Sequence, residues 1–569
     1  MEKKLTKFED IEYVRPDFEA VKAFYQGLNE RVRSASSYAE VKACILDEEE
    51  YSSHINTMAT VVEIRHTVNT ADEFYEKEEE YISHSYPEVM PYMQAFNKAL
   101  LNSPFKEDID KEYGEQFLKM VKLGADSFCE KNVPLMQEEN ELTNRYQKLT
   151  AGCKIPFDNG EHNLYGILKY FSDPDREVRC RAAKLYAEFF EKNDEELGEI
   201  FDRLVKIRHQ MGVNMGFENF IPLGYMQQGR LDYDEKDVEA FRAQVLEELV
   251  PFCEKLYKAQ AKRIGVDKIY YYDEQLIFNG GNAVPVGDRA YLVEKAREMY
   301  RDMSKETGEF IDFMIEHELM DLDNKPNKAA TGYMTTLNDY KAPFVYSCFN
   351  GTTGDVDVLT HEMGHAFAGY MAMRNQPLQA LWSEPTDIAE IHSMSMEQFA
   401  YPYAELFFGE KAEQYRFQHL QEALTFVPFG VAVDEFQHIV YANPDMTPSE
   451  RTAAWHTLEK KYMPWRDYGE DNDFFARGGW WYHKLHIYHY PFYYVNYTLT
   501  TMGAMEFKKK QAENKAACWQ DYMTLCKVGG SLGYLQTLKA ANLANPFEKG
   551  GVKRAVSYAI EILNKQIGE

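Results

Sequence analysis

Several things are scarce in this 569-residue sequence, and each scarcity removes a class of answer. No run of 18 or more apolar residues occurs. The longest candidate, Ala423 to Val433, is broken by Pro428 and ends at Asp434 and Glu435, so no membrane-spanning helix is expected. Basic residues are few beside acidic ones: 63 Lys and Arg against 92 Asp and Glu, a net charge of −29. A surface that acidic repels phosphate, so neither nucleic acid nor a membrane is expected as a partner. Cysteine is sparse. Cys44, Cys129, Cys153, Cys180, Cys253, Cys348, Cys518 and Cys526 form no C-x-x-C pair and no zinc-finger spacing, which fits free thiols in a reducing compartment. The first ten residues are charged and lack an apolar stretch, so no secretory signal is expected and a cytoplasmic location is the reading.

Chain breakers are also few, 33 Gly and 21 Pro, while helix formers abound. From Arg181 to Val213, apolar residues (Leu185, Phe189, Leu197, Phe201, Leu204, Ile207) recur at three- and four-residue steps. The same period fills residues 15–150, 234–264 and 288–320. One stretch differs. Gly332–Thr336 and Phe344–Phe349 are β-branched and aromatic, set around an Asn338-Asp339 turn and Pro343, and predict two short strands beside the helices. The fold class is therefore mainly α with a small sheet. No linker or repeat marks a boundary; a helical N-terminal region, residues 1–190, followed by a catalytic region, residues 191–569, is the expected division.

The chemistry begins at His361-Glu362-Met363-Gly364-His365. Two histidines at i and i+4 share one helix face, so both rings can reach one Zn²⁺, and Glu362 is placed to act as general base. The run Val356 to Leu359 predicts a helix that starts just before the motif. A near-copy, His317-Glu318-Leu319-Met320-Asp321, lacks the second imidazole and reads as a solvated helix end.

A catalytic zinc site takes three protein ligands. No third histidine follows at the H-E-x-x-H-x-x-G-x-x-H spacing, because Ala368 and Met371 stand there. Two carboxylates compete. Glu384 precedes Pro385 and reads as a residue at a loop end, whereas Glu390 lies inside the next helix with Asp387 and Glu397 along its face. A ligand on a rigid helix is the better placement, so Glu390 is preferred. Glu397 reads as solvated surface. Asp355 or Asp357 is a candidate to orient a ligand histidine.

A second cluster runs from Gly478 to Tyr497, with His483, His486 and His489 in seven residues and Tyr490, Tyr494 and Tyr497 beyond. Pro491 is expected in the first turn of a helix that sets Tyr494 and Tyr497 on one face. Phenols and imidazoles can donate hydrogen bonds to an oxyanion, the intermediate of water attack on a carbonyl.

These residues together resemble the oligoendopeptidase F branch of the thimet oligopeptidase family. The resemblance rests on His361 to Phe367, Asp387 to Glu390, His486 with Pro491 to Tyr497, and the upstream Gly332-Tyr-Met and Pro343-Phe-Val-Tyr segments. It implies a bilobal, neurolysin-like helical zincin with a deep substrate channel, acting on short peptides. It implies one zinc held by His361, His365 and Glu390, Glu362 as base, and His486 or His489 with Tyr490, Tyr494 and Tyr497 stabilising the transition state. A zinc exopeptidase using the same metal core stays open as an alternative, as does a non-catalytic helical peptide-binding protein. Oligomeric state is not legible.

Overall fold

The computed structural model describes residues 5–127, 129–158, 160–329, 332–470 and 472–568. It is largely helical, and the chain forms two compact units, each assembled from three stretches. The first holds Met1–Phe128, Val284–Ala412 and Lys510–Leu543; the second holds Cys129–Ala283, Glu413–Lys509 and Ala544–Glu569. The division expected at residue 190 thus falls inside the helix Arg176–Lys192 of the second unit. Long-range packing defines these units; of the crossings, only that at Ala283–Val284 falls in a Gly- and Pro-containing stretch, residues 279–287.

In the first unit, three long helices (Phe18–Ser34, Tyr38–Val68 and Glu73–Leu101) lead the chain. The first and third are N-capped by Asp17 and Asp72, whose carboxylates accept backbone N–H groups of the opening turn. Their apolar faces meet around Phe18, Tyr25, Leu28, Val41, Ile45, Phe96 and Leu100, all buried. Each such side chain contributes about 2 kcal/mol on burial.

Both expected strands form, as Tyr333–Leu337 and Ala342–Tyr346, joined through a turn in which Lys341 takes a left-handed φ of 46°. They pair antiparallel, with Tyr333 opposite Tyr346 and Leu337 opposite Ala342. A third strand, Met320–Asp321, joins parallel to Ala342–Tyr346. It was hidden in the near-copy of the metal motif. The helix Lys305–Glu316 does end there, and Glu318 is exposed at φ 52°, but Leu319 is fully buried and pulls the following residues into the sheet. Ala342–Tyr346 is therefore central and buried throughout, while Tyr333–Leu337 is an edge strand with only Leu337 buried. The metal-motif helix, Thr353–Asn375, packs on both strands, on the helix Thr386–Ala400 and on the helix Lys515–Val528.

The second unit contains a short hairpin, Ile155–Phe157 with Gly160–His162, among helices that include Val133–Ala151, Asp194–Asn214 and Pro448–Tyr462. Its interior is aromatic: Phe201, Phe436, Trp455, Trp481 and Tyr488 pack ring against ring. Fully buried Arg208 donates to the Tyr441 hydroxyl at 2.8 Å and to the Tyr488 carbonyl, which ties down the middle of the His/Tyr segment. Among the described residues, no helix is long and apolar enough to cross a membrane.

Candidate metal centre and the His/Tyr segment

The loop before the motif helix is pinned by Asp355, whose two carboxylate oxygens accept the N–H groups of Asn350 and Gly351 at 2.8 Å each. Asp355 is thus engaged with backbone, and the role considered for it beside a ligand histidine falls to another residue. Nearly two turns on, His361 and His365 project from one face with ring centroids 5.0 Å apart. Gly364 lies between them at the helix contact: a Cβ there would stand 2.7 Å from Ser393 Cα and 3.1 Å from the His392 carbonyl. Its missing side chain lets the helix Thr386–Ala400 approach closely enough for Glu390 to reach both imidazoles.

Glu390 Oε2 lies 3.1 Å from His361 Nε2 and 3.2 Å from His365 Nε2. The three donor atoms fall within 4.8 Å of one another, and among the described residues this is the only His/Cys/Asp/Glu group that can hold a metal ion. Donors on two corners of a tetrahedral zinc site with ~2.0–2.1 Å bonds stand about 3.3 Å apart. The two carboxylate–imidazole spacings fit that ion, and so does the donor set of two imidazoles and one carboxylate. Ser393 Oγ donates to Glu390 Oε2 at 3.0 Å and fixes its rotamer.

Burial works against charge on His361, but Glu390 and Glu397 outweigh it and hold the imidazole well above its ordinary pKa. Burial likewise raises Glu390, and the two histidines overcome it and hold the carboxyl well below the usual range. The electrostatics of the pocket thus favour a concentrated positive charge at its centre. Glu362 is half-exposed, and no hydrogen bond or ion pair engages its carboxylate among the described residues.

Two sequence expectations change here. Glu397 is not solvated surface: its Oε1 sits 2.5 Å from His361 Nδ1, with 11% of the side chain exposed. It holds the ring from behind and directs Nε2 towards Glu390, the role that Asp355 or Asp357 was considered for. The seven-residue step from Glu390 had suggested a shared face, but sequence carried no sign that the neighbouring helix would bury it. Glu384, the competing ligand, is not among the three grouped donors and faces His392 Nδ1 at 3.3 Å. Burial raises its carboxyl, but His392 more than compensates and keeps it below its ordinary pKa.

A cavity of about 530 Å³ lies in the same unit beside the edge strand, lined by Met334, Thr335, Thr336, Gly369 and Met373, with Glu48, Glu49 and Glu384 also on its wall.

The His/Tyr segment belongs to the second unit. Pro491 does not open the helix. Leu485–His489 is a short helix of its own, Phe492 takes a left-handed φ of 62°, and the next helix starts only at Val495. The Phe492 N–H donates to Gln437 Oε1 at 2.7 Å, a buried contact that compensates the strained turn. Tyr494 therefore precedes the helix that carries Tyr497, yet the two rings still meet at 5.5 Å.

The turn gathers His486 among four tyrosines, with centroids 4.9 Å from Tyr494, 5.9 Å from Tyr490 and 6.0 Å from both Tyr493 and Tyr497. His489 packs between Tyr490, at 5.8 Å, and Tyr146, at 5.9 Å. Burial, with Lys484 and His489 nearby, drives His486 down to about 3, so its imidazole is uncharged at neutral pH. Tyr490 is 52% exposed and Tyr497 half-buried, whereas Tyr494 is buried with its hydroxyl held by Lys484 at 2.9 Å.

Comparisons with known proteins agree on the family. Residues 8–128 match the Peptidase M3 N-terminal domain and residues 302–556 match Peptidase family M3. A solved protein assigned as an oligoendopeptidase F is 43% identical, with 98% of this chain and 99% of that one aligned at a TM-score of 0.92. PZ peptidase A, solved with an inhibitor, is 42% identical over 98% of this chain and 99% of its own, also at 0.92. An oligoendopeptidase F homolog of Borreliella burgdorferi (strain ATCC 35210 / DSM 4680 / CIP 102532 / B31) is 20% identical over 404 residues, 70% of this chain and 66% of the relative's length. The chain belongs to the oligoendopeptidase F branch of peptidase family M3.

Proposed function

We propose that this protein is a zinc-dependent endopeptidase that hydrolyses internal bonds of short oligopeptides. The observation that carries the reading is the meeting of His361, His365 and Glu390 donor atoms within 4.8 Å, beside a carboxylate, Glu362, that no hydrogen bond or ion pair engages among the described residues. His361, His365 and Glu390 hold the ion. Bound there, zinc lowers the pKa of water and polarises the scissile carbonyl. Glu362 takes the proton of the attacking water and passes it to the leaving amine as the C–N bond breaks. Tyr497 donates to the oxyanion, with Tyr490 or a histidine assisting. Of the two histidines, His486 is favoured because it packs on Tyr490, Tyr493, Tyr494 and Tyr497, whereas His489 meets only Tyr490 of that group. We assign Tyr494 a supporting place, since its hydroxyl is already held.

Main-chain recognition falls to the edge strand Tyr333–Leu337, whose outer N–H and C=O groups can pair with an extended peptide independently of its sequence. Ala342–Tyr346, by contrast, is central and has neighbours on both edges, so it offers no free edge to a peptide. The test is hydrolysis of an oligopeptide blocked at both ends, with products identified by mass. Internal cleavage that is lost to a chelator and restored by zinc is expected. Trimming of free-ended peptides alone, with the blocked peptide intact, would replace this reading with the exopeptidase one.

A further inference from the structure

Lys484 is a cation without an anion. Its Nζ donates to the Tyr494 hydroxyl at 2.9 Å and lies 4.4 Å from that ring's centroid and 5.7 Å from that of Phe429. No carboxylate forms an ion pair with it among the described residues. The arrangement costs stability, since a half-buried ammonium loses hydration that one phenol oxygen and two aromatic faces only partly replace. Accordingly burial pulls its pKa down to about 8.

The next link is equally specific. The Tyr494 ring that Lys484 holds packs on His486 at 4.9 Å, nearer than any of the other three tyrosines around that imidazole. No protein hydrogen bond fixes the His486 ring from behind: its Nδ1 is buried and has no partner. A buried lone pair without a donor costs less than a buried N–H without an acceptor, so the proton belongs on Nε2. Ring packing alone therefore orients this histidine, and Tyr494 is the closest wall.

We propose that Lys484 is a positioning residue for catalysis: by fixing the Tyr494 hydroxyl it locks the Tyr494 ring against His486, and so presents the imidazole as a hydrogen-bond donor beside Tyr490 and Tyr497. The ammonium also disfavours a second positive charge on His486, in keeping with the uncharged ring. This inference rests on the catalytic reading of His486 given above.

The experiment is a double-mutant cycle on the zinc-loaded full chain, with an end-blocked peptide as substrate. Lys484→Met is expected to lower kcat about tenfold while KM stays within a factor of two, the effect of a lost charged hydrogen bond felt in the transition state. In a His486→Ala background the same substitution is expected to do nothing further. Lys484→Arg, which keeps charge and donor, should recover part of kcat, and the melting temperature of Lys484→Met should not fall. Multiplying losses in the double variant, or a rise in KM alone, would overturn the proposal by showing that Lys484 acts elsewhere or touches substrate. If Lys484→Met does not fold, Tyr494→Phe removes only the oxygen that Lys484 holds and carries the same expectation. A silent His486→Ala sinks the catalytic reading and this inference with it; an impaired His486→Ala beside a silent Lys484→Met and Tyr494→Phe sinks this inference alone.

Discussion

Gly364 stands so close to Ser393 that a Cβ on the glycine would lie 2.7 Å from the serine Cα. The contact is backbone against backbone, so no side-chain rotation can relieve it. It sets the separation between the helix carrying His361 and His365 and the helix carrying Glu390, and with it the 3.1 and 3.2 Å approach of Glu390 to the two imidazoles.

Gly364→Ala should therefore act on the metal as well as on the fold. Overpacking of this kind costs ~1–3 kcal/mol, and forcing the helices apart draws Glu390 away from the histidines. The expected outcome is a lower melting temperature together with weaker zinc retention in competition with a chelator. Lower stability with unchanged zinc affinity would show that the helix contact and the donor geometry are independent.

Glu397→Gln removes the charge behind His361 while keeping the shape. Loss of such an outer carboxylate typically weakens metal binding about 10- to 100-fold. Zinc titration should show a loss of that order for Glu397→Gln and a larger one for Glu390→Gln. Glu384→Gln should leave the zinc affinity near wild type, since Glu384 pairs with His392 and is not one of the three grouped donors. A Glu384 variant that loses zinc while the Glu390 variant keeps it would reverse the assignment.

Glu362→Gln should keep zinc and lose turnover. Among the described residues the side chain makes no hydrogen bond or ion pair that the amide would break, so melting temperature and metal content should stay close to wild type. General-base loss lowers kcat by ~10²–10⁴, with KM little changed. Full activity in this variant would remove Glu362 from the mechanism.

What the sequence made legible follows from the range of the interactions involved. His361 and His365 are one helical turn apart, so local periodicity alone placed them on a common face, and the placement of Glu390 on a helix needed only the Pro385 signal that precedes it. Glu397 was misread because its burial depends on a partner helix that nothing local announces. The strand Met320–Asp321 escaped for the same reason, being two residues long and defined only by its parallel partner. Pro491 misled in the opposite direction. A proline before an apolar run fits a helix start, but the left-handed Phe492 and its bond to Gln437 delay the helix to Val495. The units were the least legible feature, since each is built from three separated stretches, and of the crossings only that at Ala283–Val284 falls in a Gly-rich segment, residues 279–287.

The pH behaviour of His486 separates its charge from its function. Its pKa is about 3 in the folded chain against an ordinary value near 6.5. Between those values the unfolded chain takes up a proton that the folded chain does not, so this group reduces stability progressively as pH falls below ~6.5 and contributes nothing above it. His486→Gln should therefore raise stability relative to wild type at pH 5, measured by denaturant unfolding, and leave it unchanged at pH 8. The activity ratio of wild type to His486→Gln should meanwhile stay constant from pH 6 to pH 8, because the imidazole is uncharged across that whole interval and donates as a neutral group. A ratio that changes with a midpoint near 6.5 would mean that the histidine titrates in the working enzyme, and that its charged form, not its position among the tyrosines, carries the effect.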